Sequence, residues 1–484
     1  MVNLRRALFL LAFPIGLMGV VQMGFALISY LIFHDHEETQ FFWPAICMLL
    51  VAVLFASTGR KLDPSKIGFR MALFYAVGTW MISGVLGAVP VLLLTRVSVT
   101  DAVFESVSAL TTTGATILSG LDRLPHSFLL YRQFLQWLGG LGVVVFVVAV
   151  LPMLNVGGMK LLKAETPGPI KDDKLTPRLT HTAHYLWMVY LVLTVACAAA
   201  YFLCGMTLFD AIAHSFTTVS TGGFSTHDAS MGYFQSLEIL QVSDVFMLLG
   251  AISFALHFRV WRKGHFLKYW RDEETRFFLL IVAGLTALGI VFLVSNQVRE
   301  LSWHTANDVL FMIISFITST GFGTADFTDW PPAMTFLLVF AGYLGGCAGS
   351  TAGGNKIIRN ILSIKLVLLE LKRLVHPRGV FLIRYQGAPV EPSVLSATAA
   401  FMTIAAFSSL LLTIGLMLTG MDFWSSFSAV AACLNVLGPA FGQLGSNFQP
   451  LSDAATWELS FAMILGRLEY FTILALLLPS FWLK

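Results

Sequence analysis

Charge is what this chain has least of. Only 12% of its 484 residues are Asp, Glu, Lys or Arg, against 57% hydrophobic, whereas soluble domains carry about a quarter charged residues. A soluble globular protein is thereby excluded, and the mean hydropathy of +0.78 points to a polytopic membrane protein. Long polar stretches are lacking as well: the longest, 157–183, is under 30 residues and leaves no room for a soluble domain. The net charge of +3 is too small to suggest a nucleic-acid partner. The five cysteines (Cys47, Cys197, Cys204, Cys347, Cys433) fall in or near apolar stretches without metal-ligand spacing, which disfavours disulfides and metal centres alike. Catalytic signatures are missing too, with no His-Glu-x-x-His, no Gly-x-Ser-x-Gly and no carboxylate pair within an apolar span. The chain is not expected to be an enzyme.

What is present is a series of ten apolar stretches, at about 7–33, 41–57, 71–95, 128–155, 184–204, 237–258, 277–296, 333–375, 396–418 and 457–481. Most approach or exceed the roughly 20 residues that a membrane-crossing helix needs. Arg5 and Arg6 precede the first, as in a secretory signal, but no small-residue cleavage site follows, and it reads as an uncleaved span.

Between later spans lie four related segments. Asp101 and Asp210 open runs that track each other residue for residue and reach Gly114 and Gly223 after 13 positions; Asp308 repeats the offset with Gly321. A looser copy runs from Asp422 to Gly438, three residues longer. Each is too short to cross a bilayer, so it dips in and returns. Non-helical backbone at that depth is tolerated only where protein covers it or where it lines a wet cavity. The expected fold is an all-α polytopic membrane protein: four pseudo-repeats of helix, re-entrant pore loop and helix around a central pore, plus an N-terminal two-helix hairpin. The expected boundaries are 1–60 for the hairpin, then 61–156, 157–262, 263–378 and 379–484 for the repeats.

Such loops could ring one axis with oxygens that replace a cation's hydration shell. The candidate ligands are Thr112, Thr113 and Gly114; Thr221, Gly222 and Gly223; Ser319, Thr320 and Gly321; and Asn435, Leu437 and Gly438. A second peculiarity is the glycine-rich tract 341–356 in the middle of the longest apolar stretch, where a helix should break. It is either a small-residue packing surface or an unwound, movable gate built from Gly345, Gly346, Gly349, Ser350, Thr351, Gly353 and Gly354. Arg467 is the one basic residue deep in a span, either snorkelling to the membrane edge or facing the permeation path as an electrostatic barrier.

Basic residues set the orientation. One set of loops holds 25 of the 30 Lys and Arg and is expected to be cytoplasmic. All four dips start from the opposite, acidic side, where negative charge concentrates cations.

These residues carry a resemblance. Thr-Thr-Thr-Gly in the first dip, Ser-Thr-Gly-Gly-Phe in the second, Ser-Thr-Gly-Phe in the third and Asn-Val-Leu-Gly-Pro in the fourth are similar to the pore loops of the Trk/Ktr/HKT superfamily of cation transporters, over nearly the whole chain. The resemblance implies selectivity-filter roles for Gly114, Gly223, Gly321 and Gly438, with K+ as the transported ion and no organic cofactor. It makes the glycine tract an intramembrane gating loop and Arg467 its partner in closing the pore. It also implies a homodimer in a bacterial inner membrane, N-terminus cytoplasmic, docked on a cytoplasmic nucleotide-binding ring of the TrkA type. The fourth dip departs from the family pattern in reading Gly438-Pro439-Ala440. A symporter for a small organic anion, built from broken helices, is the alternative.

Overall fold

The computed structural model describes residues 4–59, 69–149, 176–324, 330–445 and 447–482. The inner end of the fourth span (150–155), most of the polar segment 157–183, and the charges Arg60, Lys61, Lys66, Lys160, Lys163, Lys171, Lys174, Asp326, Asp329 and Lys484 lie outside the described residues.

Helix α1 (Leu4–Ile28) and α2 (Glu38–Ser57) form the N-terminal hairpin. Four units follow, each a span, a short helix, an irregular loop and a return helix. The first comprises α3 (Phe69–Thr95), α4 (Val99–Leu110) and α5 (His126–Ala149). In the second, α6 (Thr176–Leu203) and α7 (Leu208–Val219) lead to α8 (Leu237–Ala251) and α9 (Phe254–Lys263), with α10 (Leu267–Arg271) as a connector. The third has α11 (Glu273–Ser295), α12 (Trp303–Ile317), α13 (Pro332–Leu344) and α14 (Ile357–Val375). A small hairpin, β1 (Arg384–Tyr385) with β2 (Ala388–Pro389), leads to the last unit. That unit holds α15 (Pro392–Leu418), α16 (Phe423–Leu434), α17 (Asp453–Arg467), α18 (Tyr470–Leu477) and α19 (Pro479–Trp482).

Among the described residues, six helices are long and apolar enough to cross a membrane. Two expected spans are not straight. The sixth bends by 101° between α8 and α9, and the tenth by 114° between α17 and α18. The eighth is divided into α13 and α14 by the glycine tract. Outward faces keep large apolar side chains exposed, as on α2 at Trp43, Val53 and Leu54, which suits a surface solvated by lipid.

The four short helices, α4, α7, α12 and α16, start alike. Ser98, Thr207, Ser302 and Asp422 cap them, each side-chain oxygen accepting the main-chain N–H three residues on, at 2.9–3.1 Å. Such caps satisfy helix-end donors that have no other partner at that turn. They also correct the alignment by aspartate. Asp422 is itself a cap, whereas Asp101 and Asp210 lie three residues inside theirs, so three of the helices have 12 residues and the third, α12, has 15. The longer copy is therefore the third, not the fourth, because cap and glycine, rather than the shared aspartate, mark the ends of the unit.

Each short helix packs between the two flanking helices of its own unit and the return helix of the preceding one: α4 on α17, α7 on α5, α12 on α8, α16 on α13. The units thus close into a ring. Glycine makes the approach possible. A Cβ on Gly139 of α5 or Gly466 of α17 would collide with the Leu110 or Leu434 carbonyl at the end of the neighbouring short helix.

Candidate pore and gate

Each short helix ends the same way. The residues two before the four glycines, Thr112, Thr221, Ser319 and Val436, have φ between 53° and 58°. The next main-chain N–H in each loop (Thr113, Gly222, Thr320, Leu437) then reaches back to the carbonyl five residues earlier, at 2.7–2.9 Å. This is a Schellman ending, and at Thr112, Thr221, Ser319 and Val436 it is forced on residues that normally avoid left-handed backbone. Gly114, Gly223, Gly321 and Gly438 follow with φ of 76–97°, where a side chain would add strain.

Contacts among the loops are cyclic. A Cβ on Gly114 would collide with the carbonyl oxygen of Gly222, one on Gly223 with that of Thr320, one on Gly321 with that of Leu437, and one on Gly438 would lie 2.6 Å from that of Thr113. Each loop touches the next in chain order, and the fourth returns to the first. All twelve candidate ligand residues therefore sit in one ring. Their hydroxyls are largely occupied: Thr113 pairs with Thr111 at 2.7 Å, Thr320 with Thr318 at 2.8 Å, and Thr221 donates to the Ser220 carbonyl at 2.7 Å. Main-chain oxygens are left as the principal free oxygens of the ring.

Below the ring the chain unwinds at 345–356. Thr351 Oγ1 bonds the Val219 and Gly250 carbonyls, each at 3.0 Å. The Gly353 N–H donates to Ser319 Oγ at 2.5 Å and the Gly354 N–H to the Asn435 carbonyl at 3.1 Å. One loop is thereby fastened to the inner ends of the second, third and fourth pore segments. It also explains the bend in the sixth span, where main-chain groups freed at the break bond the loop: Cys347 N–H to the Ala251 carbonyl at 2.9 Å, and Phe254 N–H to the Gly349 carbonyl at 3.0 Å.

Arg467 is not mid-helix. It is the last residue of α17, 7% exposed, and its Nη1 donates to the Thr351 carbonyl at 2.9 Å. Glu469, at the bend, pairs with Arg359 of α14 at 2.8 Å. Lys356 and Arg359, which the sequence groups with the basic loops, lie at the end of the unwound segment and in the first turn of α14, and Lys356 Nζ donates to the Ala352 carbonyl.

The gross composition of the ring and gate is legible in sequence, but a buried ion pair behind the first loop is not. Glu105 of α4 and Arg132 of α5, each 1% exposed, are bonded Nε to Oε1 at 2.9 Å. Glu105 also accepts the Ile117 N–H at 3.0 Å, and Arg132 lies 4.1 Å from the Phe224 ring centroid. The Gln136 amide next to it spans the second loop, donating to the Gly222 carbonyl at 2.7 Å and accepting the Phe224 N–H at 3.1 Å. The sequence groups Glu105 and Arg132 with the acidic outer side, whereas the structure buries them; the one hint is an arginine a full turn into an apolar helix.

A family model described as "Cation transport protein", TrkH, matches residues 34–482. The chain belongs to the TrkH family. It is 44% identical over 475 residues to "Trk system potassium uptake protein TrkH" of Vibrio parahaemolyticus, covering 97% of each chain. It is 41% identical over 474 residues to the Escherichia coli protein of the same name, covering 97% of this chain and 98% of that one. The crystal structure of the potassium transporter TrkH from Vibrio parahaemolyticus superposes with a TM-score of 0.91 at 41% identity, over 99% of this chain and 100% of that one. TrkH proteins are polytopic membrane proteins named for transport, which removes the enzyme class from consideration.

On the face where the pore helices of this TrkH-family chain begin, His227 joins the first two units. Its Nδ1 bonds Asp122 at 2.5 Å, its Nε2 lies 3.4 Å from Asp210, and its ring stacks on Tyr233, with His214 6.4 Å away. Burial alone would lower the imidazole pKa, but the Asp210 and Asp122 carboxylates outweigh it and raise it. The His227 hydrogen bond holds the Asp122 pKa below the usual carboxylate range.

Two outcomes are expected. Arg132→Met should destabilise the fold by about 3–5 kcal/mol, because it strands a buried carboxylate, and adding Glu105→Gln should recover part of the loss; thermal unfolding in detergent measures both. A group with a raised pKa stabilises fully below its unfolded value, about 6.5 for His, and loses that contribution as pH rises through the folded value. A carboxylate with a lowered pKa contributes above its unfolded value of about 3.9 and loses it on acidification. The stability difference between wild type and His227→Gln should therefore be largest between about pH 4 and 6.5 and shrink by about pH 9.

Proposed function

We propose that this protein takes up K+ through the ring of four re-entrant loops, the ion shedding water as main-chain oxygens of residues 112–114, 221–223, 319–321 and 435–438 replace it. The observation that carries this reading is the cyclic contact in which each glycine abuts a carbonyl of the next loop. The C-terminal ends of four short helices are directed at the ring, and their partial negative charge favours a cation there. Relatives named for potassium uptake support the choice of ion. The organic-anion alternative has no comparable support.

Residues 345–354 act as the gate, with Arg467 as its lock. The loop is fastened by Thr351, Gly353 and Gly354 beneath three pore segments, and the buried guanidinium holds the Thr351 carbonyl from the fourth unit. A fixed positive charge at that depth opposes cation passage. Opening requires the loop to leave and Arg467 to give up its carbonyl. The protein works as a homodimer in a bacterial inner membrane, N-terminus inside, with its basic loops on a cytoplasmic nucleotide-binding ring.

Growth of a strain lacking K+ uptake at low external K+ tests the filter. Gly114→Ser is expected to cut K+ uptake about tenfold or more, since a side chain at that φ costs about 1–3 kcal/mol and strikes the Gly222 carbonyl; equal rescue would refute the filter. In liposomes, Arg467→Ala or deletion of 346–353 should raise basal K+ flux about tenfold through loss of a charge-assisted bond, and an unchanged flux would remove the gate.

A further inference from the structure

Three consecutive carboxylates open α11, and each holds something different. Asp272 caps the helix, accepting from Thr275 N at 2.9 Å and Oγ1 at 2.8 Å, and also takes Gln386 Nε2 at 2.8 Å. Glu273 pairs with Lys365 of α14 and accepts the Gln386 N–H at 2.9 Å. Glu274 is 2% exposed, and its Oε1 accepts two main-chain N–H groups, Ala348 at 2.8 Å and Ile358 at 3.0 Å. Those amides stand on either side of Gly349–Lys356. One carboxylate oxygen therefore ties the start of the unwound segment to the first turn of α14.

We propose that Glu274 is a gate-positioning residue: its carboxylate holds the 345–356 loop shut by bridging Ala348 and Ile358, and the β1–β2 hairpin, bonded to Asp272 and Glu273, is the handle that acts on it. The proposal rests on the reading of that loop as the gate. Bonds from amides to a carboxylate are roughly twice as strong as neutral ones, and the N-termini of α11 and α14 both favour a negative charge at this point. The loop cannot swing out from beneath the pore segments while both amides stay on Glu274. Its neighbours in the same helical turn are the groups that fasten the hairpin. A pull on residues 384–389 therefore strains the turn that carries Glu274, and this gives a route from the far face to the gate without passing through the pore.

The test is K+ flux into liposomes bearing the purified full chain. Glu274→Gln, which removes the charge, should raise basal flux about tenfold and leave the K+ to Na+ flux ratio unchanged. Glu273→Gln, at the partly exposed handle, should raise it about twofold. In a background deleted for 346–353, which lacks the Ala348 amide, Glu274→Gln should add nothing. The proposal is overturned if Glu274→Gln leaves flux unchanged while the deletion raises it, or if it raises flux equally in both backgrounds. Should Glu274→Gln fail to give monodisperse protein, Glu273→Gln decides: a rise supports the brace and no change refutes it. A deletion without effect would fell the gate reading itself, and the brace with it.

Discussion

Everything in this molecule is arranged so that four stretches of main chain can meet edge to edge, each glycine against a carbonyl of the following loop. A backbone cannot approach another backbone that closely with a side chain between them, and a loop of free amides and carbonyls cannot survive inside a membrane uncovered. The fold answers both needs together. Short capped helices carry each loop to the centre, Schellman endings satisfy the helix carbonyls, and return helices shield what remains. Gly139 and Gly466 let two of those helices come against the ends of α4 and α16.

The same constraint explains why the spans bend where they do. A helix that stops within the membrane exposes main-chain groups at the break, and here the groups freed at the α8–α9 bend bond Cys347 and Gly349 of the unwound segment. At the α17–α18 bend, Arg467 and Glu469 point to different partners, Thr351 within that segment and Arg359 in the helix that follows it. The unwound segment is therefore a piece of third-unit backbone whose hydrogen bonds come from the second, third and fourth units together. Moving it means breaking several modest bonds at once, which suits an element with two discrete positions rather than a continuous range.

Burying charge in such a place is costly, and the structure balances two such carboxylates locally. Glu105 and Arg132 neutralise each other behind the first loop, while Glu274 accepts amides from opposite ends of the unwound segment. Arg467 has a carbonyl rather than a carboxylate as its partner. It therefore retains more uncompensated positive charge than Arg132.

Sequence by itself determined the class and the plan: the hydropathy required a membrane, and glycines recurring at a fixed distance after short polar-capped segments required dips between spans. It also singled out the four loop glycines, the glycine tract and Arg467, because glycine and intramembrane charge are costly residues whose placement implies a purpose. What it could not supply was who touches whom. The cyclic order of the loops, the pairing of Glu105 with Arg132, the bends at 252–253 and 468–469 and the two hydrogen bonds to Glu274 join residues far apart in the chain, from 27 positions for Glu105 and Arg132 to 325 for Thr113 and Gly438. Hydropathy reports how buried a residue wants to be and periodicity reports which face it shares, but neither carries a direction between helices. That direction was decided only when packing brought the four units around one axis.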